Sequence, residues 1–467
     1  MGTDPTVRDI GSRLELFVDD HIIASLDNCR RVLGRPQYAG KAVSFDAPWE
    51  GLFAGVITVL IVDGTYRMYY RGMAAPGDGS DVECTCCAES ADGIHWTKPE
   101  LGLFERNGTT RNNIVVAGHT PCSHNFCPFL DTRPGVPEEE RFKAIAGIQP
   151  HGIFAFASPD GLRWRKLRPE PVITAREFAF DSQNVAFWSE HEQCYACYYR
   201  VWHGFTDWSN AGCRWVARTT SDDFIHWAPA TEMRCDRPIE EQIYTQQTHP
   251  YYRAPHLYIA LGARFWPGRR VLTDAQVAKL GVAEGYYDDI SDGVLMTSRG
   301  GNLYSRTFME SFLRPGPGLM NWVSRTNYPG LGVVPTSPTE MSFYVHRSYA
   351  QPTSHAARFA LRVDGFASVQ AGYDGGELLT HPLRFAGSRL VLNYATSAAG
   401  DLRVEVQDPA GRAVPGFTLA ECLPVVGDQI ERAVAWREGA DLSALAAQPV
   451  RLRFALRDAD LYSMRFA

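Results

Sequence analysis

The chain has no hydrophobic run long enough to cross a bilayer. Its longest, "LFAGVITVLIV" from Leu52 to Val62, falls well short of the ~20 residues a spanning helix needs, and the turn Asp63-Gly64 closes it, so it reads as a buried strand. Blocks of like charge are missing too: 46 basic and 53 acidic residues are interspersed, for a net charge of -7. Neither a nucleic acid nor an anionic membrane is therefore an expected partner, although a charged polymer substrate stays open. The start "MGTDPTVRDIGSRLELFVDD" lacks the basic and apolar regions of a leader, so the expected location is cytoplasmic, or periplasmic or secreted if a leader was trimmed. Helix signal is scarce; "TDAQVAKLGV" (273–282) stands out, with Thr273 as N-cap and Gly281 as stop.

An even cysteine count is also lacking. The eleven include the run "CTCC" (84–87) and the pair Cys194-x-x-Cys197. The stretch "QCYACYYR" alternates like a strand, which points Cys194 and Cys197 to opposite faces and spoils a shared chelate. The cysteines read as small buried hydrophobes, and no metal or cofactor is expected.

What is present is a repeat. "SADGIHW" (90–96) returns as "SPDGLRW" (158–164) and "SDDFIHW" (221–227), and weaker copies lie at "SRGGNLYSR" and "RVDGFASV". The turn residues Asp92, Asp160, Asp223, Gly300 and Asp364 are 68, 63, 77 and 64 residues apart. Each is preceded by β-branched or aromatic runs, such as "YRMYYRGM" and "CYACYYRV". Four antiparallel strands in about 65 residues make a propeller blade, so five copies predict an all-β chain with a five-bladed β-propeller. The repeated hairpin belongs to the outer scaffold: Asp caps amides, Gly supplies positive φ and Trp packs between sheets. Beyond "DGGELLTHPL" the phrase disappears and alternating strands continue to the end. The expected division is a propeller over 1–378 and a C-terminal β-sandwich over 379–467, a packing domain or a sugar-binding one.

This architecture resembles the propeller glycoside hydrolases, and "ELFVDDHII", "FDSQNVAFW" and "LRFALRDADLYSMRF" are similar to proteins with a family 32-like N-terminal domain. The resemblance covers nearly the whole chain and implies a funnel where the inner strands begin and carboxylates meet. One carboxylic acid would protonate the leaving oxygen of a glycosidic bond while an opposing carboxylate activates water or attacks the anomeric carbon. The inner-strand starts read "DAPWEGLFAG", "CSHNFCPF", "FDSQNVAF", "TQQTHPYY" and "SPTEMSFY", offering Asp46, Glu50, Asp181 and Glu340. Asp181, followed by Ser182, Gln183 and Asn184, is the leading catalytic candidate. Glu340 is the candidate general acid, and Glu50, beside Trp49, a modulator of the others' pKa. The sucrose and fructan motifs W-M-N-D-P-N-G, R-D-P and E-C are absent, which removes support for fructan specificity, and the second blade offers His124-Asn125 in place of a carboxylate.

Four second strands end in arginine: Arg71, Arg200, Arg264 and Arg347. In a cyclic fold they either converge on the channel, to pair with carboxylates or hold a uronate or sulfated sugar, or form blade-to-blade ion pairs. Trp49, Trp202, Tyr251 and Trp266 are candidate sugar-stacking aromatics or core residues. His124, His203, His249 and His256 are candidate shuttles or buried structural histidines. The expected function is cleavage of a glycosidic bond in a neutral or anionic oligo- or polysaccharide. A polysaccharide lyase, with His249 or a tyrosine as base, and a non-catalytic sugar-binding propeller are the alternatives. The expected partner is the carbohydrate substrate; the oligomeric state is open.

Overall fold

The computed structural model of the protein describes residues 7–175, 177–204, 212–238 and 241–467. It divides into two compact units, Pro36–Ala360 on one side and Met1–Arg35 with Leu361–Ala467 on the other.

Pro36–Ala360 is a five-bladed β-propeller. The first three blades are antiparallel meanders of four strands in chain order. Their inner strands are Gly55–Val62, Cys127–Leu130 and Val185–Ser189. In the fourth blade the inner position is split into Gln242–Thr245 and Thr248–Tyr251, both paired with Ala254–Trp266. In the fifth it is split into Tyr328–Pro329 and Val334–Pro335, both paired with Glu340–Arg347. Pro329 and Pro335 cannot donate to a ladder, which keeps these segments to two residues each. "SPTEMSFY" is therefore the second strand of the fifth blade, one position outward of where the sequence pattern put it. The outer strand of that blade, Gln37–Ser44, comes from the other end of the unit and pairs antiparallel with His355–Arg362, closing the ring. The expected helix is present at Asp274–Leu280 with a capping box between Thr273 and Gln276, and Gly281 ends it at φ 65°.

The repeated hairpin has one hydrogen-bond pattern in its three strong copies. Asp92 Oδ1 accepts from the Ile94 and His95 amides, and Trp96 Nε1 donates to the Gly93 carbonyl. Asp160 and Trp164 repeat this, as do Asp223 and Trp227. Each hairpin follows the third strand of its blade and receives an aromatic from the preceding blade. Tyr344 donates to the Gly93 carbonyl, Tyr69 to the Gly161 carbonyl at 2.9 Å, and Phe129 packs on Phe224 with ring centroids 5.5 Å apart. In the third copy Phe224 takes the left-handed conformation (φ 70°) that Gly93 and Gly161 take in the others. The phrase that counts the blades also latches them together.

The second unit is built on the long antiparallel pair Leu390–Gln407 and Arg451–Phe466. Two N-terminal strands join its sheet: Ile23–Asp27 pairs with Gly376–Thr380, and Cys29–Leu33 with Ala367–Ala371. Its core includes Tyr394, Leu402, Trp436 and Phe454, all essentially inaccessible. The division expected after residue 378 lies instead at Arg35 and Ala360, because pairing of the N-terminal strands is non-local and leaves no local mark. The fifth phrase, "RVDGFASV", leads into this unit and does not add a fourth strand to its own blade.

All eleven cysteines are free thiols. Cys194 pairs with Ser189 and Cys197 with Ala186 across one ladder, on alternating positions of the strand. Burial pushes the thiol of Cys127 up to about 11, which leaves it protonated at neutral pH. No group of three or more His, Cys, Asp or Glu side chains among the described residues is placed to hold a metal ion.

Candidate functional site

The inner strands begin around one pocket. Every blade contributes: Val56 and Ile57 from the first, Asn125 from the second, Asp181 and Gln183 from the third, Tyr244 and Gln247 from the fourth, Tyr328 and His346 from the fifth. Loops add Asp78 and Arg325, and the second strand of the first blade adds Arg71. Non-glycine residues with positive φ surround the pocket: Val56 (57°), Asn125 (53°), Phe180 (71°), Gln247 (51°) and Arg325 (55°). Left-handed backbone at such residues costs roughly 1–3 kcal/mol each, and strain of this kind gathers at functional sites. Here it turns each chain sharply as it enters an inner strand, which aims the adjoining side chains at the pocket.

Asp181 follows the strained Phe180, whose ring is held by Tyr199 at 5.1 Å. Its Oδ2 lies 2.5 Å from Arg200 Nη2, and its side chain is 22% exposed. Burial by itself would raise the Asp181 carboxyl, but Arg200, with His124, Arg325 and Arg214 beyond it, brings it below the usual carboxylate range. Asp181 is thus an anion at neutral pH, suited to act as base or nucleophile.

Asp78 is the second carboxylate lining the pocket; it is 41% exposed and lies 3.4 Å from Arg71 Nη1. Arg71 also donates to Asn125 Oδ1 (2.9 Å), to the Phe53 carbonyl and to the Tyr349 hydroxyl. Behind it lies a buried chain: Glu83 bonds His124 Nδ1 at 2.8 Å, and His124 Nε2 meets Asn125 Nδ2 at 2.8 Å. Burial opposes the charge on Glu83, yet His124, Arg71 and the Gly79 amide hold its carboxyl down at about 2. His346 is the opposite case: burial, then Arg71 and His355, push it down to about 3, so it stays neutral.

The pocket floor is a girdle with one residue from each blade. Gln183 Nε2 donates to Thr58 Oγ1 (2.8 Å) and lies 3.6 Å from Cys127 Sγ. Gln247 Nε2 donates to Gln183 Oε1 (2.6 Å) and to the Pro329 carbonyl (3.1 Å). A second, separate apolar cavity is lined by Val59, Phe129, Phe187, Leu331 and Val333, among others.

The structure thus gathers Asp181, Gln183 and Arg71 at the pocket, with Arg200 behind Asp181 and His124 behind Asn125. Asn184 serves the backbone turn: it donates to the Phe180 and Ser182 carbonyls and accepts from the Arg200 amide. The other expected residues lie elsewhere. Glu340 opens the second strand of the fifth blade and pairs with Arg358 at 2.8 Å. His346, on the same strand, lines the pocket, and the six residue steps from Glu340 to it span roughly 20 Å. Glu50 is fully buried, bonded to the Tyr70 hydroxyl at 2.6 Å and to Lys98 at 2.6 Å, while Trp49 Nε1 donates to Asn113. Asp46 pairs with the same Lys98.

Arg264 is engaged by Glu241 and Asp292, and Arg347 by Asn327 and the face of Phe359. His249 lines the apolar cavity with both ring nitrogens occupied, Nδ1 by the Gln247 carbonyl and Nε2 by the Val333 amide. Among the aromatics, Trp202 packs under Arg214, Tyr251 bonds Met341 Sδ, and Trp266 carries Arg269. Sequence reading missed Asp78, Arg214, Tyr244, Arg325 and Tyr328. Arg325 had a signal: it precedes "TNYPG", the true inner strand of the fifth blade, much as Asp181 precedes "SQNVAF".

No family model and no curated protein matches the chain. Solved structures similar to it include a glycoside hydrolase at 11% identity, covering 70% of this chain and 92% of the other with a TM-score of 0.46. Another is an N-acetylgalactosamine deacetylase from F. plautii in complex with blood group B trisaccharide, at 12% identity, 73% and 97% coverage and a TM-score of 0.45. A third is a family 43 arabinoxylan arabinofuranohydrolase from Bacillus subtilis, in complex with cellotetraose, at 13% identity, 90% and 96% coverage and a TM-score of 0.40. At these identities and scores none of their activities is carried over to this chain; the five-bladed fold itself rests on the strand pairing above.

Proposed function

We propose that the protein is a carbohydrate-active enzyme that cleaves a glycosidic bond in the propeller funnel, with Asp181 and Asp78 as its working carboxylates. The observation that carries this reading is their meeting in one pocket: they are the two carboxylates lining it among the described residues. Asp181, held ionised by Arg200, activates water or attacks the anomeric carbon. Asp78, nearer solvent on the opposing loop, protonates the leaving oxygen and takes the place in the pair that the sequence suggested for Glu340. Arg71 and Asn125 position the ring.

Glycosidic cleavage, assayed as reducing ends released from a panel of oligosaccharides, is expected to fall by 10²- to 10⁴-fold in Asp181→Asn and Asp78→Asn, with unchanged circular dichroism. Glu340→Gln is expected to retain activity. Full activity in Asp181→Asn would sink the proposal, and sugar binding without cleavage by the wild type would favour a sugar-binding propeller. The surplus of guanidinium groups around Tyr244 and Tyr328 favours a second reading, a lyase with a tyrosine as base; its product would carry an unsaturated ring absorbing in the ultraviolet.

A further inference from the structure

The funnel holds more positive charge than its carboxylates balance. Arg71 faces Asp78 and Arg200 faces Asp181. Arg325 lines the same pocket and Arg214 adjoins it, and neither makes an ion pair among the described residues. The one side-chain hydrogen bond of Arg214 goes to the neutral Gln242, at 2.6 Å.

Three guanidinium groups crowd one ring. The central carbons of Arg200, Arg214 and Arg325 lie 4.6, 5.1 and 5.6 Å from the centroid of Tyr244. Arg200 has a side chain only 2% exposed, yet its Nε and Nη1 have no hydrogen-bond partner among the described residues; neither does Nε of Arg214.

An arginine cannot shed its proton at any working pH, so it cannot escape burial by neutralising. Desolvating a charge costs several kcal/mol, and stacking on an aromatic face returns ~0.5–2 kcal/mol without satisfying the N–H groups at the guanidinium edge. A ligand that brings negative charge and planar or tetrahedral oxygen acceptors would answer both deficits, because guanidinium pairs with such groups through two parallel N–H···O bonds.

We infer that Arg214 and Arg325, backed by Arg200 and the ring of Tyr244, form an oxyanion subsite in the funnel. The inference rests on the reading of the funnel as the sugar site, and it sets an acidic group beside Asp181. The oxyanion is either a carboxylate carried by the sugar or a free inorganic anion. Of this set only Arg200 is among the four strand-end arginines that the sequence singled out: Arg214 lies on the third strand of its blade and Arg325 in the loop before the fifth inner strand.

The full-length protein is titrated with D-glucuronate, inorganic phosphate and D-glucose, following calorimetric heat and thermal unfolding. Glucuronate, phosphate or both are expected to bind, and Arg325→Gln and Arg214→Gln each to weaken that binding at least 10-fold. Arg325→Lys, which keeps the charge and loses the fork, should fall between. Binding of glucuronate alone assigns the subsite to a sugar carboxylate, and of phosphate alone to a free oxyanion; both together support the shared chemistry.

The ligand-free Gln variants are expected to unfold at or above the wild-type temperature, since each removes a half-buried cation with no ion-pair partner among the described residues. A lower unfolding temperature with unchanged anion affinity would mark the arginines as structural. Failure of both anions to bind, or equal affinity in both Gln variants, overturns the inference. Asp181→Asn separates the two claims. If it abolishes cleavage while the arginine variants bind anions normally, the subsite falls and the proposed function stands. If the anions bind through the arginines and Asp181→Asn still cleaves, the reverse holds.

Discussion

Glu83 is a carboxylate that the fold keeps ionised at some expense. It sits behind the pocket with 3% of its side chain exposed, and its charge is held by His124, Arg71 and the Gly79 amide. The folded value of about 2 lies below the ordinary ~4.3 of the unfolded chain, so the stabilisation is complete above ~4.3 and disappears as pH falls toward 2. A shift of this size corresponds to on the order of 3 kcal/mol. Glu83→Gln is therefore expected to lose up to that amount at pH 7 and progressively less as pH is lowered to 3, as read by urea unfolding. A difference independent of pH would refute the account. Neither Glu83 nor its role was visible in "DVECTCC", where it reads as one more polar residue beside a cysteine run. Asp181 was visible, because a carboxylate followed by Ser-Gln-Asn and then by an apolar strand has few scaffold uses at that place.

The blade hairpins are the elements the sequence announced most clearly, and their bonds explain why. Asp, Gly and Trp are each demanded by a separate contact, so the phrase cannot drift far without losing one. Its aromatic partners, by contrast, come from the preceding blade and lie about 90 or 250 residues away, where no local pattern marks them. Tyr69 is fully buried, and its hydroxyl donates to the Gly161 carbonyl. Tyr69→Phe leaves that acceptor without its donor, for an expected loss of about 1–2 kcal/mol in denaturant unfolding with an unchanged slope. A neutral result would mean the latch works through ring packing alone. The fifth blade was the hardest to place. Its inner position is two dipeptides separated by Gly-Leu-Gly-Val, with none of the long apolar run that marks Gly55–Val62, so the longer second strand was taken for the inner one and Glu340 for a pocket residue.

At the scale of the whole propeller, closure by Gln37–Ser44 had no sequence signal beyond an alternating stretch near the start, because a closing strand is defined by its distant partner, His355–Arg362. The girdle of Thr58, Cys127, Gln183, Gln247 and Pro329 likewise exists only once five blades meet. It also governs traffic. Its side chains hydrogen-bond to one another across the pocket floor, so on the proposed reading whatever reaches Asp181 enters by the upper mouth and leaves by it. For the proposed reaction a polymer has no second door through which to thread, so it presents a terminus, surrenders one small unit, and withdraws before the next turnover. Time courses on a long oligosaccharide are then expected to show the smallest product from the first minutes, with the parent shortening stepwise. Early mid-length fragments would mean that the interior of the polymer reaches the carboxylates by a route the girdle does not allow.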